Sequence, residues 1–324
     1  MTLNSIPRPG RWRITVVLLA AVPAVLAYPW QSARDYWLIG IAAGVVFVLF
    51  GWWRGLYFTT IVRRRLAMMR RRRSVPEPRT DMRTTALLRV GPGASDLDVF
   101  PLPLLARYLN RYGIRTDAMR ITGRATASGD QQTWIGLTMS AAANLVALQA
   151  RSPRIPLHDT AEVAARRLAD HLREIGWDVS FVAPDDIPQL LATDSREVWR
   201  GMRRSDSDYL AAYQVSVDAK LAETLDAIRS HPAGETWTAL EIAETGRSLG
   251  AYTVAAACAF RTDTQPDSAP PLPGLTLQRG SQRRVLSALE LSSTQRLDGH
   301  TVAPDDLLER VVWPTALLEA ANRA

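Results

Sequence analysis

The sequence predicts an N-terminal two-helix transmembrane hairpin followed by a cytosolic α/β domain built on a mixed sheet. Three observations carry that reading. Two apolar runs, Ile14–Trp30 and Tyr36–Phe58, stand near the start; an arginine block of Arg63, Arg64, Arg65, Arg70, Arg71, Arg72 and Arg73 closes them; beyond it, amphipathic segments alternate with short apolar ones.

An apolar helix needs about 20 residues, at about 1.5 Å each, to cross about 30 Å of hydrocarbon. The second run holds no charge between Trp37 and Trp53, and Trp52, Trp53 and Tyr57 stand where an interfacial aromatic belt sits. The first run is shorter and carries Pro23, which a membrane helix tolerates because neighbouring helices resatisfy the freed carbonyl. Only residues 29–35 separate the runs, so a tight antiparallel hairpin follows. Gly40, Ala43 and Gly44 would let another membrane helix approach closely. Arg8, Arg11 and Arg13 precede the first run, the arginine block follows the second, and the loop offers only Arg34 beside Asp35. The positive-inside rule therefore places both termini in the cytoplasm and the chain in the inner membrane as a multi-pass protein. The block is also a collar for anionic headgroups, at about 1 kcal/mol per basic residue near the surface.

Three rival readings are weaker. Residues 8–27 have the layout of a signal peptide cleaved after Ala27, but a second apolar run with a basic stop-transfer flank follows at once. Two buried helices of a soluble core account for the runs less well, because helices apolar all round are uncommon outside membranes and large cores. Nucleic-acid binding by the arginines is not needed, since a membrane flank accounts for them.

Net charge is +7 and the pI is about 10.0, with the basic excess concentrated in the hairpin and collar. Global basicity thus says little about the remainder. Lys220 is the sole lysine and lies in Val217-Asp218-Ala219-Lys220-Leu221, so no phosphate-cradling G-x-x-x-x-G-K-[ST] loop can be written. A Schiff-base mechanism is disfavoured for the same reason. Cys258, the sole cysteine, excludes an internal disulfide and a multi-cysteine zinc site, and its apolar setting reads as a small buried hydrophobe.

The organisation that follows is a hairpin and collar over 1–73, a linker over 74–83 and a cytosolic domain over 84–324, interrupted by a proline-rich loop at 262–274. Strands are expected at 84–90, 114–126, 133–139, 177–183, 197–203, 209–217 and 275–278, with a hairpin from 235–245 and 249–261. Helices are expected at 102–112, 141–149, 160–175, 184–192, 218–231 and 281–291, and in the tail over 304–320 with an interruption before Pro314. Asp159 and Glu162 form a capping-box pattern ahead of the strongest helix. No repeat of fixed period is visible.

Catalytic signals are sparse. Asp206-Ser207-Asp208 is a D-x-D triplet of the kind that holds a divalent ion in sugar-nucleotide transferases, and it is equally the composition of a polar turn. His158, His171, His231 and His300 are scattered without ligand spacing. Neither G-x-G-x-x-G nor G-x-S-x-G occurs. The expectation is a non-enzyme without catalytic, cofactor-binding or metal residues; the alternative is a membrane-anchored glycosyltransferase using Asp206 and Asp208.

Gly113-Ile114-Arg115-Thr116, Thr133-Trp134-Ile135-Gly136-Leu137-Thr138, the stretch from Asn144 to Ser152, and Glu174-Ile175-Gly176-Trp177, set behind a two-helix start with an arginine collar, resemble EccE. That family is a membrane subunit of the mycobacterial ESX, or type VII, secretion system. The resemblance implies a non-catalytic part in an inner-membrane complex with EccB, EccC and EccD, in which EccC supplies the ATPase. It also implies a cytosolic α/β domain at the complex periphery, similar to a nucleotide-sugar transferase fold without its catalytic set. The tail after Leu275 carries no family word.

Overall fold

The computed structural model describes residues 82–93, 100–152, 156–192, 194–244, 252–303 and 306–313, together with isolated positions between 19 and 66. The chain divides into two units, Met1–Val75 and Pro76–Ala324. In the first, Leu19, Val22, Trp37, Gly40, Ala43 and Gly44 are helical and exposed, and Arg64 and Arg65 also lie in a helix. Trp52–Trp53 pairs antiparallel with Leu56–Tyr57. At those four positions the second apolar run is strand where helix is expected. Most of both runs, with Arg63 and Arg70 to Arg73, lies outside the described residues. Among the described residues, no helix is long and apolar enough to cross a membrane.

The second unit is built on one large sheet. Its elements in chain order are β1 (Arg83–Gly93), α1 (Leu102–Arg107), β2 (Asn110–Arg111), β3 (Ile114–Arg115), β4 (Ala118–Thr126), β5 (Gln131–Ser140), α2 (Ala141–Gln149), α3 (Leu157–Glu174) and β6 (Trp177–Phe181). There follow β7 (Arg196–Val198), β8 (Gly201–Ser205), β9 (Asp208–Val215), α4 (Leu221–Ser230), β10 (Glu235–Glu244), β11 (Tyr252–Thr262), β12 (Leu275–Leu277), α5 (Gln282–Leu289), β13 (Thr301–Val302) and α6 (Leu307–Arg310). Strand order is β6-β1-β5-β4-β10-β11-β9-β8-β7, with β12 on β9 and β13 on β11; β2 and β3 form a separate small hairpin.

Every pairing in the large sheet is antiparallel, which corrects the expected mixed sheet. The helices do connect strands that run the same way, as a β-α-β rhythm demands, but each crossover leaves an antiparallel strand between its two ends. β1-α1-β4 encloses β5, β5-α3-β6 encloses β1, and β9-α4-β10 encloses β11. These are split β-α-β units. They also expose a duplication invisible as a sequence period: β1-α1-β4-β5 and β9-α4-β10-β11 have the same connectivity and order, and they meet where β4 pairs with β10.

Alternation along the strands builds a core on each face of the sheet. Met119 and Ile121 of β4, Leu240 and Ile242 of β10, and Val254, Ala256, Cys258 and Phe260 of β11 point to the face covered by α1, α3, α4 and α6. α3 contributes Leu157, Ala161, Ala165, Leu168 and Leu172, an i, i+4, i+8, i+11, i+15 stripe that is buried throughout. The opposite face carries Leu87, Trp134, Trp237, Ala239 and Ala255 against Val285, Leu286 and Leu289 of α5. Trp134 and Trp237 stack across it, with ring centroids 5.9 Å apart and planes within 11°.

Several local expectations change. α3 starts at Leu157 behind Pro156 without a side-chain cap, so the Asp159/Glu162 box is not used; it stops at Glu174, and Gly176 just beyond takes a φ of 99° that only glycine adopts readily. Residues 184–192 make a single 3-10 turn, Pro184–Asp186, since Pro188 cannot continue a helix. The expected strand at 197–203 is the hairpin β7-β8, and Gly201 is needed there because a Cβ would sit 2.9 Å from the Leu210 carbonyl oxygen. The helix expected at 102–112 stops at Arg107, and Tyr112-Gly113 turns between β2 and β3 with positive φ at both residues. The tail is one helical turn, α6, and Pro314 onward lies outside the described residues.

Trp237 is almost fully buried between Trp134 and the strands. Trp237→Ala is expected to lower stability by about 3–5 kcal/mol, as large aromatic truncations in cores do, measured by urea denaturation. A loss below about 1 kcal/mol would contradict this packing.

Candidate functional site

The β4·β10 register sets Arg120 directly opposite Glu241, on the α5 side of the sheet. Glu241 is fully buried and Arg120 nearly so. Arg120 donates from Nε (2.8 Å) and from Nη2 to Glu241 Oε2, and its remaining N–H groups go to the backbone carbonyls of Ala288 and Gln295. The other carboxylate oxygen, Oε1, accepts from the Leu297 amide (3.2 Å) and lies 2.9 Å from His300 Nε2, while His300 Nδ1 meets Thr253 Oγ1 at 3.1 Å. A single buried pair thus ties both halves of the sheet to the segment 288–300. Burial pushes the Glu241 carboxyl up, but the hydrogen bond with His300 and the charge and hydrogen bonds of Arg120 outweigh it and hold the group below the ordinary carboxylate range.

A second network lies along the same face. Arg124 Nε meets Glu235 Oε1 at 2.5 Å, Arg261 Nε meets Glu235 Oε2 at 2.7 Å, and Arg261 Nη1 reaches both oxygens of Asp208 at 3.0 Å. Arg124 also lies over the Trp237 ring, 5.6 Å from its centroid. Burial opposes the ionised form of Glu235 too, and the hydrogen bonds and charges of the two arginines win and lower its pKa.

These networks decide the fate of the candidate residues. Asp206 pairs with Arg203 in the exposed β8-β9 turn, whereas both oxygens of Asp208 face Arg261, so the triplet does not converge on one point. Among the described residues, no group of three or more His, Cys, Asp and Glu could hold a metal ion. Cys258 is fully buried, and burial pushes its thiol up and away from the reactive thiolate. His171 accepts or donates to the Tyr108 hydroxyl at 3.0 Å, His158 meets Thr84 and Glu162, and the His231 ring tilts against Phe260. Gly40, Ala43 and Gly44 are exposed on helix, and a Cβ on either glycine would meet nothing within 4 Å.

Sequence reasoning passed over Arg120, Glu241 and His300. The signal was present: a charge inside Ala118-Met119-Arg120-Ile121 and another inside Ala239-Leu240-Glu241-Ile242, each flanked by residues that must be buried. Buried charges are paired, so two opposite charges in central strands imply each other. What this lattice can do chemically is hold shape. Beside it, between α5, the segment 294–298 and strands β9 and β11, lies a polar cavity of about 490 Å³.

Comparison with known proteins adds the family. Residues 127–215 match the family model for EccE, described as a type VII ESX secretion system translocon. The chain is 65% identical over 314 residues to the ESX-3 secretion system protein EccE3 of Mycobacterium tuberculosis strain CDC 1551, covering 97% of this chain and 95% of that protein. It is 46% identical over 313 residues to the EccE3 of Mycolicibacterium smegmatis, covering 96% and 98%.

The lowered carboxyls of Glu241 and Glu235 fix the sign of a pH effect. A carboxylate with a depressed folded pKa contributes fully above the unfolded value, about 4.3, and that contribution is lost as pH falls through the folded value. Urea midpoints are therefore expected to hold steady from about pH 7 to 5 and to fall below about pH 4.5, with a shallower fall in Glu241→Gln. An unchanged acid slope in that variant would contradict the assignment.

Proposed function

This chain belongs to the EccE family and is a subunit of the ESX type VII secretion system, and from that premise we propose that it is a non-catalytic scaffold of the membrane complex. The identity of 65% over 97% of the chain carries this reading and points to the ESX-3 branch. The side chains that could have suggested chemistry support the non-catalytic part. Asp208 is held by Arg261, Glu241 by Arg120, and Cys258 is sealed in the core.

In this reading Ile14–Trp30 and Tyr36–Phe58 anchor the protein in the inner membrane with both termini cytoplasmic. Arg63, Arg64, Arg65 and Arg70 to Arg73 rest on anionic headgroups, and Gly40, Ala43 and Gly44 form the close-approach face of the second helix. The domain over 84–324 braces the cytosolic side of the machinery beside EccB, EccC and EccD. A rigid sheet with satisfied buried charges suits that role, because a brace must resist shear without rearranging.

Affinity purification of the tagged full-length protein from membranes in mild detergent tests this. The expected outcome is a large assembly containing an FtsK-like ATPase and a many-spanning membrane protein, reduced at least about tenfold when Gly40 and Gly44 are both replaced by leucine. A clean monomer from the unaltered protein would contradict the scaffold reading.

A further inference from the structure

We propose that the cavity beside α5 binds a small phosphorylated polyol. Its volume of about 490 Å³ falls within the range of small-ligand sites, about 300–1,000 Å³. Arg83, Arg284 and Arg296 line it, with Asp298 at its edge. Arg83 Nε stands 3.6 Å from Asp117 Oδ2, and Arg284 Nη2 stands 2.8 Å from Asp298 Oδ1. Arg296 differs from both: its Nη2 donates to the neutral backbone carbonyl of Asp117 at 2.7 Å, and it forms no ion pair among the described residues. The cavity therefore holds one guanidinium without a carboxylate partner among the described residues, beside a second whose carboxylate partner is exposed. Planar guanidinium forks match phosphate oxygens, and a dianion satisfies such a pair better than a single carboxylate does.

The remaining walls specify what the phosphate is attached to. Gln214 and Gln278 line the cavity, and Gln278 Nε2 lies 3.4 Å from Gln214 Oε1. Gly299 leaves room for the Gln214 carboxamide: with φ of 89° there, a Cβ would lie 1.8 Å from Gln214 Nε2. Carboxamides donate and accept at once, which is what hydroxyl groups require. Ala257, Val285, Ala288 and Leu297 offer a short apolar floor for a carbon skeleton. No aromatic ring lines the cavity among the described residues, so a nucleobase would find no stacking platform. The wall is preorganised, because Arg120 holds the carbonyls of Ala288 and Gln295 and Glu241 accepts from the Leu297 amide.

The inference stands apart from the secretion reading and is tested without it. Full-length protein in detergent micelles is titrated calorimetrically with glucose 6-phosphate, and separately with glucose, inorganic phosphate and AMP. Saturable binding of glucose 6-phosphate is expected, tighter than inorganic phosphate and AMP, undetectable for glucose, and weakened at least about tenfold in Arg284→Gln/Arg296→Gln. Three results would overturn the proposal: no saturable heat up to about 10 mM, an affinity unchanged in the double variant, or AMP or inorganic phosphate binding as tightly as the sugar phosphate. Should the double variant fail to fold, Arg296→Gln alone, an exposed side chain held by one backbone bond, is judged by the same criterion.

Discussion

Arg120 and Glu241 face each other across the seam where the two related halves of the sheet join, and most of the second unit depends on that contact. Desolvating two charges costs several kcal/mol each in order of magnitude, and the cost is offset only when geometry is good and every remaining proton and lone pair is satisfied. Here both conditions hold. The guanidinium divides its protons between one carboxylate and two backbone carbonyls, and the carboxylate completes its set with the Leu297 amide and His300. The pair fixes the β4·β10 register, since a slip of one residue would turn Arg120 to the opposite face, away from Glu241 and the carbonyls of Ala288 and Gln295. It also anchors 288–300, a segment with little regular structure of its own.

The parts of the fold that sequence reading recovered are those where one periodicity dominates. The stripe on α3 follows apolar spacing and the β10-β11 hairpin follows two long runs separated by Gly246-Arg247-Ser248, whereas the helix Ala141–Gln149 has no such stripe and rests on strong helix formers behind the Ser140 cap. The parts it missed are set by tertiary context. A split crossover and a parallel one share the same strand, helix, strand rhythm, so nothing local told the antiparallel sheet from a mixed one. The duplication is carried by strand order, which has no fixed sequence period. Trp199-Arg200 is an unusual hairpin turn, and it gave no warning that one strand was two. The Arg120 to Glu241 pairing spans 121 positions, and only the requirement that buried charges meet a partner could have linked them.

The candidate site follows the same division. The aspartate triplet was legible as a motif and is divided in space: Asp206 stays in a turn with Arg203 while Asp208 joins the ladder through Arg261 and Glu235 to Arg124. Carboxylates used in this way stiffen a sheet, and the stacked Trp134 and Trp237 close the same face beneath Arg124. A domain whose buried charged side chains are paired with one another keeps its shape, which accords with membership of a multi-subunit secretion complex.

The measurement closest to the centre of this account is a double-mutant cycle on Arg120→Met and Glu241→Leu, read as unfolding free energies in urea. If the pair holds the seam, each single variant loses about 3–5 kcal/mol by stranding a buried charge, and the double variant regains a coupling of at least about 2 kcal/mol. Losses that simply add would show that the two side chains act independently, and the seam would have to be held by something else.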